Sequence, residues 1–215
     1  MSHTSETDGV VLMESITNQI TLRGSLTALP VFSHENHGKR FFRFYLEVQR
    51  LSGAVDTLPV IAEESVLGQI DPFGGEMLLV SGQIRSHNLR EDGKRHLMIF
   101  VFAASISAED GIWLNDVIID GTLCREPTFR RTPLGREICD IMLVVPRAFH
   151  RADYLPCILW GRTAQEAARC HTKDKIRIYG RLQSRCYTKL TDAGAQERTA
   201  YEISALTADI PEDLY

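Results

Sequence analysis

The stretch NQITLRGSL at residues 18–26 returns 97 residues later as NDVIIDGTL at residues 115–123. Further matches follow in the same order: LPVI at 58–61 with LPCI at 155–158 and, after one inserted residue, VSGQIRS at 80–86 with IYGRLQS at 178–184. A repeat of this length is too long for a solenoid unit, so ordered matches at near-constant spacing indicate a duplicated domain.

Both copies have the sequence pattern of β-structure. Ile141, Leu143 and Val145 alternate with their neighbours, as do the apolar residues of 44–48. A period of two predicts strands with one buried face. One helix is predicted at 163–170, between the third and fourth strands of the second copy, and this is the element order of an OB fold. The sequence therefore predicts an all-β protein of two tandem five-stranded OB barrels, each with a short helix after the third strand.

The repeat also predicts how the chain is divided. The expected segments are a flexible N-terminus at 1–16, a divergent OB fold at 17–108, a second OB fold at 113–207 and a short acidic tail at 208–215. The short junction predicts barrels that pack together. Glycines inside strand patterns predict bulges or bends at Gly24, Gly82, Gly121 and Gly180. Loops are predicted near 31–39, 86–94, 127–135 and 187–197.

The net charge of −4 hides an asymmetry between the two copies. Residues 1–114 contain 9 Lys and Arg against 14 Asp and Glu, whereas residues 115–208 contain 15 against 11. Phosphate contacts depend on the local basic surface rather than on the sum. The second copy is therefore the candidate for binding a polyanion.

The remaining composition argues against several other classes of protein. The 5 cysteines include no CxxC pair, which argues against a disulfide framework or a zinc knuckle, and we predict no metal and no cofactor. No apolar run approaches the roughly 18 residues of a membrane span, and the polar N-terminus is unlike a secretory signal. We therefore expect a cytoplasmic protein without membrane contact.

Aromatic and basic residues are interleaved in the second copy. Single-strand binding without sequence preference requires rings on which bases stack, beside cations that follow the phosphates. The candidate rings are Phe149, Tyr154, Trp160 and Tyr187. The candidate cations are Arg147, Arg151, Arg162, Lys173, Arg181, Arg185 and Lys189. The alternative for each ring is packing at a barrel rim, and for Trp160 it is a place in the core.

Residues 115–206 resemble the bacterial single-stranded DNA-binding protein family. The resemblance lies in five motifs, DVIIDGTLCREP at 116–127, TPLG at 132–135, VPRAF at 145–149, LWGRTAQ at 159–165 and KIRIYGRLQSRCY at 175–187. It implies that bases stack on Phe149 at the end of the second strand, on Tyr154 and Trp160 in the third, and on Tyr187 after the fourth. It also implies phosphate contacts from Arg162, Lys173 and Arg185.

The first copy departs from that pattern. The positions equivalent to the four rings hold Leu51, Thr57, Glu63 and Leu89. Glu63 and its neighbour Glu64 would repel phosphate, so this barrel is expected to be less suited to DNA. Phe41, Arg43 and Tyr45 share one predicted face, which either forms a second, divergent DNA path or packs against another barrel; we favour packing.

The resemblance also suggests an assembly. Members of the family usually present four OB barrels, and two barrels per chain would reach that number in a homodimer. Members also commonly end in an acidic tip that recruits replication and repair proteins. Residues 208–215 are acidic but follow the barrel without a linker, so recruitment through them is an open expectation.

Two other functions compete with single-strand binding. The first is a primosome-like scaffold whose OB barrels hold protein partners and bind nucleic acid weakly. The second is an enzyme, but Asp120, Asp140 and Asp153 lie on separate segments rather than in a metal-binding cluster, so we predict no catalysis. RNA also remains a candidate ligand, because stacking surfaces accept either sugar.

Overall fold

The computed structural model describes residues 17–68, 76–91, 93–191 and 194–210, and within them the chain is all-β, as predicted. The first copy consists of β1 (Asn18–Leu26), β2 (Val31–Asn36), β3 (Lys39–Gln49), β4 (Val55–Glu63), α1 (Glu64–Leu67), β5 (Met77–Glu91) and β6 (Lys94–Ala108). The predicted N-terminus at 1–16 and most of the predicted tail, residues 211–215, lie outside the described residues. In the described ranges, no helix has the length and apolar character needed to span a membrane.

The second copy repeats this element order. It consists of β7 (Leu114–Leu123), β8 (Thr128–Arg131), β9 (Glu137–Arg147), β10 (Arg151–Trp160), α2 (Gly161–Ala167), β11 (Lys175–Thr191) and β12 (Gly194–Asp209). Both helices follow the strand that was predicted to precede them. Helix α2 begins at Gly161 and ends at Ala167, so it starts and stops slightly earlier than the predicted 163–170.

Five strands of each copy pair in a closed circuit. In the first copy β1 pairs with β3, β3 with β4, β4 with β6, β6 with β5 and β5 with β1. The second copy repeats the circuit with β7, β9, β10, β12 and β11. The β4–β6 and β10–β12 pairs are parallel and the others antiparallel. This is the strand order of an OB fold, and we call the two circuits barrel one and barrel two.

The predicted loops are corrected by the structure. Strands β2 and β8 occupy much of 31–39 and 127–135, and each pairs with the edge of the strand that follows it. Likewise, the β5–β6 and β11–β12 hairpins continue their pairing through most of 86–94 and 187–197. These segments project from the barrels with mainly exposed residues. They therefore lack the alternation of apolar and polar residues by which a strand is predicted.

Two of the predicted bulges are confirmed. The ladder shifts register at Gly82 in β5 and at Gly180 in β11. A Cβ atom at Gly82 would lie 2.1 Å from the carbonyl oxygen of Phe102, and one at Gly180 would lie 2.3 Å from that of Ser204. Only glycine allows this close approach between neighbouring strands. The two glycine bulges therefore set the register between β5 and β6 and between β11 and β12.

The two barrels share one sheet. Strands β1 and β7 pair antiparallel, with Asn18 opposite Ile119, and join the described strands into a 12-stranded sheet. The Asn18 amide donates to the carbonyl oxygen of Ile84 at 2.7 Å and accepts from its N–H at 2.9 Å. Asn115 makes the same two bonds with Leu182, at 2.7 and 2.9 Å. These bonds lie within each barrel, and the β1–β7 pairing packs the two barrels together, as the short junction predicted.

A buried carboxylate links barrel one to barrel two. Asp56 on β4 has no exposed surface and accepts hydrogen bonds from Ser184 on β11, from N at 2.6 Å and from Oγ at 3.0 Å. The Arg50 guanidinium donates to the same carboxylate, from Nε at 2.6 Å. Burial alone would raise the pKa of Asp56, but the bonds from Arg50 and Ser184 outweigh burial and hold that pKa below its usual value.

The second copy contains the equivalent link, in which a carboxylate of barrel two accepts a bond from a strand of barrel one. Asp153 on β10 is also fully buried and accepts from the Ser86 N–H on β5 at 2.7 Å. Nη1 of Arg147 donates to the same Asp153 oxygen at 3.2 Å. We call Asp56 with Arg50 and Ser184, and Asp153 with Arg147 and Ser86, the two inter-barrel braces. They tie each barrel to the hairpin of the other.

Candidate nucleic-acid interface

Two of the predicted rings lie on the outer face of β10. Leu155, Cys157 and Leu159 point into the core, and their neighbours on the strand point outward. Tyr154 is 43% exposed and Trp160 is 37% exposed on that outward side. At about 3.3 Å per residue the two positions lie about 20 Å apart along the strand. Trp160 is therefore not a core residue, and the alternative that placed it there is wrong.

A hydrogen bond to β12 orients the Trp160 ring. Its Nε1 donates to the Ser204 hydroxyl at 3.1 Å. Across β9, Ile138 lies opposite Trp160, and Arg130 on β8 lies opposite Ile138. The outer face of barrel two therefore carries a row from Arg130 through Ile138 and Trp160 to Ser204. The row combines a cation, an apolar support and a partly exposed ring held in place by its indole N–H.

Tyr187 lies on the outer face of β11. Leu182 of that strand is fully buried, so the alternate positions 181, 183, 185 and 187 point outward. The Arg185 guanidinium lies 5.7 Å from the centre of the Tyr187 ring, which is 39% exposed. The resemblance had implied that Tyr187 follows the fourth strand of the barrel. That strand, β11, continues to Thr191 and therefore contains Tyr187. Arg185 and Tyr187 together offer a ring and a planar cation side by side.

Phe149 occupies the tip of the β9–β10 hairpin. Its side chain is 92% exposed, in a turn that spans residues 148–150. Phe149 has φ of 60° and His150 has φ of 54°. This left-handed conformation costs a non-glycine residue roughly 1–2 kcal/mol. Such strain at an exposed aromatic residue is typical of functional positions and makes Phe149 a candidate for stacking.

Four of the predicted cations are exposed: Arg151, Arg162, Lys173 and Arg185. Arg162 also contacts Glu166 at 2.8 Å on helix α2, but its side chain remains 91% exposed. Arg185 lies 3.8 Å from Glu202, which is too long for a close hydrogen bond. These side chains can reorient toward a phosphate with little loss of existing structure.

Two other predicted cations are engaged at the barrel junction. Arg147 belongs to an inter-barrel brace through Asp153. Arg181 is half-buried near the other brace, where burial and then the charge of Arg50 lower its pKa. Their predicted phosphate contacts stay predictions, since Arg147 is bonded to Asp153 and Arg181 lies half-buried near the positive charge of Arg50. The backbone of Lys189 lies in β11, and its side chain lies outside the described part of the chain.

Two residues of this interface were not predicted from the sequence. Arg130 lies in the short strand β8, and its signal was the adjacent sequence Phe129-Arg130-Arg131, an aromatic residue beside two cations. Ser204 had no comparable signal, because its contact with Trp160 joins residues 44 apart in the chain.

Comparison with known proteins places this geometry in a family. The model described as "Single-strand binding protein family" matches residues 114–210. Single-stranded DNA-binding protein B of Bacillus subtilis is 34% identical over 80 residues, covering 34% of this chain and 71% of that protein. The single-stranded DNA-binding protein of Clostridium tetani is 31% identical over 103 residues, covering 45% of this chain and 67% of that protein.

A solved structure extends the likeness to both barrels. The wild-type single-stranded DNA binding protein from Thermus aquaticus superimposes with a TM-score of 0.73 and covers 90% of this chain and 92% of its own. At 24% identity this match shows a shared fold. The family model, which matches barrel two, and the two relatives show the relationship. The chain belongs to the single-strand binding protein family.

Proposed function

We propose that this chain binds single-stranded DNA without sequence preference and does not catalyse a reaction. The observation that carries the proposal is the row on the outer face of barrel two, where Ser204 holds Trp160 with its ring partly exposed. Tyr154, Tyr187 and Phe149 extend the stacking surface along β10, β11 and the hairpin tip. Each unpaired base has a π-face, so such rings bind a strand regardless of its sequence.

The exposed cations supply the phosphate contacts. Arg151, Arg162, Lys173 and Arg185 are exposed around the rings, and Arg130 is a further candidate. Arg130 contacts Asp140, but both side chains are partly solvated, at 51% and 31% exposed. Such surface pairs are weak, so a phosphate can compete for the guanidinium.

The biological setting follows from the proposed ligand. Protection of unpaired strands serves DNA replication, recombination and repair, and we assign this chain to those processes in the bacterial cytoplasm, at the nucleoid. Replication or repair proteins are proposed partners.

The function is tested by titrating the protein with oligo(dT). Trp113 is replaced by phenylalanine, so that the remaining tryptophan, Trp160, reports on binding. We expect the Trp160 emission to be quenched on binding. The logarithm of the binding constant should fall with the logarithm of salt concentration, with a slope of about −0.7 per phosphate neutralised. Unchanged Trp160 emission at saturating oligo(dT), or binding that is independent of salt, would contradict the proposal.

We also propose that two chains associate to present four barrels. We expect light scattering at micromolar concentration to give a mass about twice that of the 24.2 kDa chain. A homogeneous species at the mass of one chain would show that the pair of barrels acts alone. The titration above does not depend on this outcome, because the row of barrel two lies within one chain.

A further inference from the structure

The outer faces of the two barrels carry their aromatic residue on different strands. In barrel two, β12 pairs parallel with β10, and Ser204 on β12 lies opposite Ile158 on β10. The equivalent pair in barrel one is Ile61 and Phe102. Barrel one therefore has Phe102 in place of Ser204, while Glu63 stands in place of Trp160. The large ring of barrel one therefore lies on β6, beside β4, which is the strand equivalent to the one that carries Trp160. Comparing only the position equivalent to Trp160 does not detect this ring.

Phe102 is part of a continuous stripe of rings. Its centroid lies 5.9 Å from that of Phe41, which is on the outer face of β3 but is only 8% exposed. The His34 ring stacks on Phe41 with centroids 4.8 Å apart and planes inclined by only 10°. On the other side, the Arg85 guanidinium lies 5.4 Å from the centre of the Phe102 ring. We call His34, Phe41, Phe102 and Arg85 the displaced stripe.

The acidic residues beside the stripe are paired. Lys39 contacts Glu63 at 2.9 Å, and Arg40 contacts Glu64 at 2.6 Å. The repulsion that was expected from these two carboxylates is therefore largely compensated. His34 is exposed at one end of the stripe, and Arg85 is half-buried at the other.

The Arg85 end of the stripe adjoins barrel two. The next residue, Ser86, accepts a hydrogen bond from the Tyr154 N–H at 2.8 Å. Arg85 is also close enough to Arg147 that, after burial, this second positive charge lowers its pKa. The junction therefore places the Tyr154 backbone, the Arg85 and Arg147 guanidinium groups and the Phe102 end of the stripe close to one another. Seen from β10 of barrel two, Arg85 is the near end of the stripe.

Unlike Arg50 and Arg147, which donate to brace carboxylates, Arg85 has no carboxylate partner within hydrogen-bond distance in the described residues. Its Nη2 donates to the neutral Gln83 side chain at 2.5 Å. A guanidinium of this kind can contact a phosphate and present a flat face to a base.

We propose that single-stranded DNA continues from barrel two across the junction onto the displaced stripe, where bases stack on Phe102 beside Arg85 and on the exposed His34 ring, which the buried Phe41 supports. The proposal rests on the proposed function of barrel two. It replaces the packing role favoured from the sequence for the face of Phe41 with a second DNA path. At the opposite end of that face Tyr45 is half-buried, and Tyr201 of barrel two packs against the core; burial, and then Tyr45, raise the pKa of Tyr201 to about 12.

The test uses the full chain carrying both Phe102→Ser and Arg85→Gln. These changes install the residues that barrel two has at the equivalent positions, Ser204 and Gln183. Affinity is measured by anisotropy of labelled oligo(dT) of increasing length, and occupancy of barrel two by Trp160 quenching in the Trp113→Phe background. We expect unchanged affinity for the shortest oligonucleotides that quench Trp160, and a loss of about fivefold or more for longer ones.

The matched control is Phe32→Ser. Phe32 is an exposed ring of the same barrel that contacts Phe42 rather than the stripe, and this change should leave the length dependence as in the wild type. Arg85→Gln alone gives the same test if the double variant fails to fold. Equal affinity of variant and wild type at every length, with Trp160 quenching intact, overturns the second path alone. Absence of Trp160 quenching at every length overturns the function of barrel two and this inference with it.

Discussion

Replacing Trp160 with alanine is expected to weaken oligo(dT) binding by about 1–3 kcal/mol, which is a loss of about five- to 150-fold. The ring is 37% exposed on the outer face, so its removal leaves no cavity in the barrel core. The only hydrogen bond it makes among the described residues is the one to Ser204, and losing a bond of this kind costs about 1 kcal/mol of stability. Affinity should therefore fall while the protein remains folded, as measured by anisotropy of a labelled oligonucleotide.

Phe129→Ala is the matched control for this change. Phe129 is 40% exposed, close to the value for Trp160, but lies opposite the core residue Cys139 and so belongs to the other face of the sheet. Its truncation should leave affinity nearly unchanged. Trp160→Phe retains a ring but cannot bond to Ser204, so it should fall between alanine and the wild type. Equal losses from Phe129→Ala and Trp160→Ala would mean that the outer face has no special role.

The repeat in the sequence was sufficient to predict the two barrels, because each core strand keeps its own alternation. Ile141, Leu143 and Val145 are buried as that alternation required. The pairing of β1 with β7 could not be predicted in the same way, since any exposed strand edge offers the same backbone groups to a partner. Strands β2 and β8 were missed for a related reason, because their residues are exposed on both faces.

The residues of the candidate site likewise divide into those that the sequence could nominate and those that only the folded chain reveals. Residue type and order were enough to nominate Trp160 and Tyr187 as candidate rings, although the bond from Trp160 to Ser204 is visible only in the folded chain. Arg147 shows the limit of that reasoning. A basic residue near an aromatic one suggests a phosphate contact, but only the folded chain brings Arg147 and Ser86 together on Asp153. Phe102 was not predicted as a site residue, because its equivalence to Ser204 is visible only from the strand pairing.

The second large effect is expected from Asp56→Asn, which should lower the free energy of unfolding by about 3 kcal/mol. Removing one partner of a buried ion pair typically costs about 3–5 kcal/mol, and the lower end applies because the Arg50 side chain is 23% exposed. Asparagine keeps the size of the side chain and one acceptor for Ser184, but it leaves the charge of Arg50 without compensation. Urea unfolding, followed by circular dichroism, measures the change.

Asp140→Asn provides the comparison, since Asp140 also pairs with an arginine, Arg130 at 2.5 Å, but in a solvated position. Exposed pairs contribute about 0–1 kcal/mol, so this variant should unfold almost as the wild type does. The difference between the two variants isolates burial at the junction from the loss of a carboxylate charge. Because the Asp153 brace remains in Asp56→Asn, the barrels should stay joined. Adding Asp153→Asn should lower stability again but by less, since Arg147 makes one bond of 3.2 Å where Arg50 makes two of 2.5 and 2.6 Å. If Asp56→Asn costs no more than Asp140→Asn, the braces do not hold the barrels together, and the β1–β7 pairing alone carries the junction.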